Sequence, residues 1–77
     1  MLFRRNFRIE LETIPETSEE ICLEIAKYCA ENNLTLEFIK RSYPVIATID
    51  GRKYEIRKQF TKISRINLWV LQCKEIK

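Results

Sequence analysis

VIATIDGRKYEI, residues 45–56, is the stretch that decides the fold. Asp50-Gly51 stands at its centre, and this dipeptide favours a two-residue hairpin turn in which both residues need a positive φ. With these two residues as the loop, Ile49 faces Arg52 across the turn. The same pairing brings a set of apolar residues to one face: Val45, Ala47, Ile49, Tyr54 and Ile56. Because the turn signal and the apolar pattern agree, the stretch predicts an antiparallel hairpin with one buried face.

A helix is predicted before the hairpin, over residues 18–32. Thr17 and Glu20 have the spacing of a capping box, in which each side chain accepts a hydrogen bond from a backbone N–H at the helix start. Asn33 can adopt the left-handed conformation that ends a helix. Between these ends an apolar stripe recurs at helical spacing: Ile21, Cys22, Ile25, Ala26 and Cys29. The stripe covers one side only, so we expect that side to pack on a sheet.

Alternating patterns predict strands on both sides of the helix. Residues 6–11 and 34–41 alternate apolar with polar residues, which is typical of strands that bury one face. Tyr43-Pro44 ends the second of these strands, since proline cannot donate a ladder hydrogen bond. The second arm of the hairpin is expected to reach Phe60, and residues 61–65 are expected to form a turn.

The last predicted strand, residues 66–73, is apolar on both faces. Leu68 and Val70 point one way, and Trp69 and Leu71 point the other. Two apolar faces indicate either a central strand or a strand whose second face meets a partner.

Together these elements predict an α+β fold in one compact domain, residues 1–77. Its single sheet has four to five strands, mainly antiparallel, in the order β-α-β-β-β-β along the chain, and one helix packs on one face. The helix crossover lets the first two strands run parallel. The expected core comprises Ile9, Leu11, Ile21, Ile25, Cys29, Leu36, Phe38, Val45, Tyr54, Ile56 and Val70.

The composition lacks the usual parts of an active site. There is no histidine, which removes the commonest general base and the commonest zinc ligand. Gly51 is the single glycine, so a glycine-rich phosphate loop is absent. The three cysteines form no Cys-x-x-Cys pair and are interpreted as buried apolar residues, with a helix-to-sheet bridge involving Cys73 as the alternative. We therefore expect a non-catalytic protein that binds no metal and no cofactor.

No segment of the sequence indicates a membrane or an exported protein. The longest apolar run, residues 68–71, is far shorter than the roughly 18 residues of a membrane span. The N-terminus lacks the apolar stretch of a secretory signal, and an odd number of cysteines fits reduced thiols. We expect a soluble, cytoplasmic protein with no membrane partner.

Charge divides the sequence into an acidic part and a basic part. Residues 9–37 hold eight glutamates against Lys27 alone, whereas residues 38–77 hold ten basic residues against three acidic ones. The helix and the strands next to it in sequence are therefore acidic, and the C-terminal strands are basic.

Protein association is the function that these patterns favour. One helix covers one face of the sheet, so the uncovered face is free to form a homodimer or to dock a partner. Ile46, Trp69 and Leu71 are the candidate interface, an apolar centre within a charged rim.

Binding of single-stranded RNA or DNA through the basic C-terminal strands is the alternative. Four residues are the candidate phosphate contacts: Lys40, Arg52, Lys53 and Arg57. Trp69 or Tyr43 would stack on a base. In a third interpretation the opposite charges pair within the fold and serve solubility alone.

Overall fold

The chain forms one helix and five strands within residues 6–76, the part that the computed structural model describes, with the backbone alone at Ile63. In chain order they are β1 (Asn6–Leu11), α1 (Ser18–Glu31), β2 (Leu36–Lys40), β3 (Val45–Ile49), β4 (Arg52–Ile63) and β5 (Ile66–Glu75). The strands make one antiparallel sheet in the order β1-β5-β4-β3-β2, and the helix packs on one face. The predicted α+β architecture is confirmed. The predicted domain also includes residues 1–5 and 77, which lie outside the described residues.

The hairpin of β3 and β4 has the predicted register. Ile49 pairs with Arg52, and Val45 pairs with Ile56. The turn residues Asp50 and Gly51 have φ values of 52° and 84°, as a two-residue turn of this class requires. We call residues 45–56 the inner hairpin. Its predicted apolar face is completely buried.

The helix begins and ends at the predicted signals. The Glu20 backbone N–H donates to Thr17 Oγ1 over 3.2 Å. At the other end Asn33 takes a φ of 55°, and the Leu34 N–H donates to the Cys29 carbonyl over 2.8 Å. These bonds satisfy backbone groups that the helix leaves unpaired at each end.

The first two strands lie at opposite edges of the sheet. Each strand is antiparallel to its neighbours, so β1 and β2 run in the same direction but are separated by β5, β4 and β3. The helix that joins them therefore crosses the sheet and covers its middle. Buried residues of β1, β3, β4, β5 and α1 form one core there, and Leu36 and Phe38 of β2 pack against it.

The predicted core is largely confirmed, with one residue on the other face. Leu36 and Phe38 are half-buried against the core. Val70 is buried, but it pairs with Glu10 and Gln59, whose side chains point away from the helix. Strand alternation therefore excludes Val70 from the core under the helix, although it is solvent-protected.

A second hairpin replaces the turn predicted over residues 61–65. β4 continues to Ile63, and the turn is the pair Ser64-Arg65, whose φ values are 49° and 69°. The β3–β4 register ends at Val45 and Ile56, whereas the β4–β5 register continues to Ile63 and Ile66. We call residues 57–72 the outer hairpin. Within the described residues its β4 arm has only β5 as a strand partner.

Candidate functional site

The pairing of β5 with β1 decides where the predicted interface residues lie. Leu71 pairs with Ile9 and Trp69 with Leu11, and both β1 residues are buried under the helix. Leu71 is itself 0% exposed. Ile46 lies on the opposite face, as its pairing with Glu55 shows. The prediction that Ile46, Trp69 and Leu71 share the uncovered face is therefore wrong.

The sheet face opposite the helix, which we call the open face, is mainly charged and polar. Its charged residues are Arg8, Lys40, Lys53, Arg57 and Lys74 together with Glu10, Glu37 and Glu55. Opposite charges alternate across the strands, as where Lys74 pairs with Glu55. This mixture differs from the apolar centre with a charged rim that a protein interface requires.

The four predicted phosphate contacts do not form one group. Lys40, Lys53 and Arg57 lie on the open face. Arg52 belongs to the helix side, where its Nη1 lies 3.6 Å from Glu75 Oε1. Arg57 Nε donates to Glu55 Oε1 over 3.0 Å, and this hydrogen bond raises the pKa of Arg57. The guanidinium stays charged, but the neighbouring carboxylate offsets part of its field.

The outer hairpin carries the most uniform charge. Residues 57–72 contain four basic residues and no Asp or Glu: Arg57, Lys58, Lys62 and Arg65. All four are exposed. Lys58 and Lys62 lie on the helix side of the strand, Arg57 lies on the open face, and Arg65 is in the turn. Positive charge therefore surrounds this hairpin on both faces and at its tip.

An exposed aromatic pair lies on the helix side of the outer hairpin. Phe60 pairs directly with Trp69, and their ring centroids are 5.3 Å apart with a tilt of 59° between the ring planes. Trp69 is half-buried against the core, whereas Phe60 is 54% exposed. Phe60 has Lys58 and Lys62 two residues away on the same strand face.

The base of the outer hairpin is attached to two loops. The Lys58 N–H donates to Tyr43 Oη over 3.1 Å, just past the end of the β3 pairing. Lys58 Nζ donates to the Pro15 carbonyl over 3.4 Å. The hydroxyl of Tyr43, predicted as a stacking residue, thus accepts a hydrogen bond from a backbone N–H of β4 that has no β3 partner.

The cysteines have the environment of apolar residues. Cys22, Cys29 and Cys73 are free thiols and all are buried. Burial raises the pKa of Cys29, and it raises the pKa of Cys73 to about 12. A reactive thiolate needs the opposite shift, so these groups offer no nucleophile at neutral pH.

Two open grooves lie beside the helix. The groove between α1 and β1 has four glutamates in its walls together with Arg8 and Lys27; the glutamates are Glu10, Glu12, Glu24 and Glu31. The groove between α1 and β2 is more apolar and is lined by Leu23, Ala26 and Phe38, with the Arg41 guanidinium 4.5 Å from the Phe38 ring centroid.

Neither metal-ligand clusters nor membrane-spanning helices occur among residues 6–76. No three His, Cys, Asp or Glu side chains converge there in a way that could hold a metal ion. In the same part of the chain, no helix has both the length and the apolarity needed to cross a membrane.

Both arms of the outer hairpin were predicted as strands, but the row of two lysines and a phenylalanine on its β4 arm was missed, although a signal for it exists. Lys58, Phe60 and Lys62 alternate at the strand period, which places two charges and an aromatic ring on one face. Ending the predicted strand at Phe60 hid this pattern.

Comparison with known proteins gives no match to a protein-family model, to a curated protein or to a solved structure.

Proposed function

We propose that the protein is a non-catalytic module that binds nucleic acid through the outer hairpin. The observation that supports this proposal is the group of four exposed basic residues, with no carboxylate among residues 57–72, on both faces and at the turn of the outer hairpin. Phosphate neutralisation by Lys and Arg supplies most of the affinity of such binding. The glutamates of β1 are next to the β5 arm of the outer hairpin, as the pairing of Glu10 with Val70 shows, so we assign the phosphate contacts to the β4 arm and the turn.

The shape of the outer hairpin suits a polyanion. Its β4 arm, residues 57–63, reaches roughly 20 Å beyond the last β3 pair at about 3.3 Å per residue. Beyond the last β1 pair, which joins Leu11 to Trp69, residues 61–68 form a two-stranded ribbon. Such a ribbon is narrow enough to enter a groove or to lie along a strand. Lys58 and Lys62 are about 13 Å apart on this arm, so they contact separate phosphates.

The test is a titration of labelled oligonucleotides, single-stranded and duplex, over a range of salt concentrations. We expect binding that weakens steeply with salt. Each lost contact with a single strand should change the log–log salt slope by about 0.7, so Lys58→Ala/Lys62→Ala should change it by about 1.4.

A matched control removes the same charge from the open face. Lys40→Ala/Lys53→Ala also lowers the net charge by two, but leaves the outer hairpin intact. We expect its salt slope to remain near that of the wild type. Equal losses in both double variants, or no binding at low salt, would contradict the proposal.

Homodimerisation is the second candidate function, and a different surface supports it. Leu23 is 68% exposed on α1, beside the groove that Ala26 and Phe38 line. An exposed apolar residue next to an apolar groove is a feature of association surfaces. Solution mass at micromolar concentration should show a dimer that Leu23→Glu converts to a monomer. Ile66→Glu, on the outer hairpin and similarly exposed, is the control, and a monomeric wild type would rule out this candidate.

A further inference from the structure

We infer that Phe60 is a base-stacking platform, so the ligand of the outer hairpin is single-stranded nucleic acid. This inference rests on the proposed function and narrows it to a class of ligand. It depends on three features of the described residues: the exposure of the Phe60 ring, its support by Trp69, and the two lysines beside it.

The Phe60 ring is held in place while remaining accessible. Trp69 is directly opposite on β5, and its ring contacts Phe60 at a centroid distance of 5.3 Å. Trp69 is itself packed against the core, next to the buried Leu11 of β1. A ring that is 54% exposed but rests on a fixed neighbour offers apolar area with little entropy left to lose on binding.

Lysines flank the ring on the same strand face. Lys58 and Lys62 are each two residues from Phe60, which is roughly 7 Å along the strand. Single-strand binders combine cationic side chains that follow the phosphates with aromatic rings on which the bases stack. The order Lys58, Phe60, Lys62 provides both kinds of contact in one row.

Stacking of this kind distinguishes single strands from duplexes. In a duplex each base is already stacked between its neighbours, so the Phe60 ring cannot reach a base face without unstacking it. Single strands present unstacked bases to aromatic side chains. The lysines alone would bind both forms, whereas Phe60 should add affinity for the single strand only.

The experiment compares four ligands of about 12 nucleotides, within the site sizes of single-strand binders. They are oligo-dT, oligo-U, an abasic strand with the same phosphates, and a duplex. Trp69 is the single tryptophan, so its fluorescence reports on the aromatic pair directly. We expect oligo-dT and oligo-U to change the Trp69 emission and to bind more tightly than the abasic strand.

The decisive variants are at Phe60. Phe60→Leu keeps an apolar side chain but removes the aromatic face, and we expect its affinity for the base-bearing strands to fall about 5- to 150-fold. Its affinity for the abasic strand should not change. Phe60→Tyr should restore binding, and Ile66→Ala, which removes another exposed apolar group from the same hairpin, should have no effect.

Two different failures can be told apart. In the first, abasic and base-bearing strands bind with equal affinity, and Lys58→Ala/Lys62→Ala abolishes the binding of both. That result would overturn base stacking but would leave polyanion binding intact. Absence of binding to all four ligands at low salt would overturn both the proposed function and this inference. Thermal melting of each Phe60 variant would show that the fold persists.

Discussion

The inner and outer hairpins share strand β4 and turn in the same way, yet their surroundings differ. Both have two-residue turns with positive φ at both positions, 52° and 84° at Asp50-Gly51 and 49° and 69° at Ser64-Arg65. The apolar face of the inner hairpin is 0% exposed. On the outer hairpin, Phe60 and Ile66 are more than half exposed. Backbone geometry therefore does not determine which hairpin supports the core.

The length of the helix explains the difference. Helix α1 has 14 residues and spans about 21 Å, whereas the 12 residues of β4 span about 40 Å. One helix cannot cover the whole strand, so the part of β4 beyond its β3 pairing extends past the core. Arg57, Lys58 and Lys62 lie in that part of β4, and Arg65 follows in the turn. The β4 arm of the outer hairpin is therefore exposed, whereas its β5 arm still contributes the buried Leu71 to the core.

The largest expected effect is on stability, when the same Ile→Ala truncation is made in each of the two hairpins. Ile56→Ala removes a side chain that is 0% exposed, and we expect the free energy of unfolding to fall by about 2–5 kcal/mol. Ile66→Ala truncates a side chain that is 63% exposed, and we expect a change within about 0.5 kcal/mol. Urea denaturation measures both values. Similar losses in the two variants would show that Ile66 is packed as tightly as the core residue Ile56.

A smaller effect should appear as pH rises. Cys73 pairs with Ile56 on the buried side of the sheet, and burial raises its pKa from 9.0 to about 12. The unfolded chain then releases the thiol proton at a lower pH than the folded chain, so the stabilisation is complete below pH 9 and is lost as pH rises towards 12. Between pH 8 and pH 10, we expect the contribution of the Cys73 thiol to the free energy of unfolding to fall by about 1.4 kcal/mol.

Urea denaturation of the wild type and of Cys73→Ala at several pH values tests this dependence of stability on pH. The variant should lose less stability than the wild type over the alkaline range, whatever its stability at neutral pH. Parallel pH curves for the two proteins would contradict a buried, neutral thiol at Cys73.

Local chemistry explains why the inner hairpin and the helix were predictable. Asp50-Gly51 favours positive φ by itself, and Thr17 and Asn33 satisfy helix ends with groups close in sequence. Ser64-Arg65 has no such preference, since neither residue favours positive φ. The pairing of β4 with β5 imposes that conformation, and this pairing is not visible in the turn residues themselves.

The candidate site was harder to predict because the sheet face on which each β5 side chain lies depends on pairing with β1, which is distant in sequence. Residues 68–71 are apolar on both faces, so the sequence pattern does not say which face meets the helix. The pairs Ile9 with Leu71 and Leu11 with Trp69 decide this, and they join residues near the two ends of the chain. The charge of the C-terminal strands was visible in the sequence, but its concentration on an exposed hairpin required the strand order.

The smallest expected effect tests whether the two turns are equivalent. A side chain at positive φ carries a backbone penalty that glycine avoids, roughly 1–2 kcal/mol per residue. At position 51 an added Cβ would meet no heavy atom within 4 Å, so the effect of Gly51→Ala comes from the backbone. The free energy of unfolding should fall by about 1 kcal/mol, because the lower entropy of alanine in the unfolded chain offsets part of the penalty.

At the outer turn, Arg65 has a φ of 69°, and the comparison there is between Arg65→Gly and Arg65→Ala. Both variants lose the guanidinium, so the difference between them isolates the backbone term from the charge. If β4–β5 pairing holds Arg65 at positive φ, the glycine variant should be more stable than the alanine variant by about 1 kcal/mol, reduced by the greater freedom of glycine in the unfolded chain. Equal stabilities would mean that the outer turn relaxes to negative φ. The outer hairpin would then lack the fixed geometry that holds Phe60 against Trp69, and the two hairpins would differ in backbone as well as in burial.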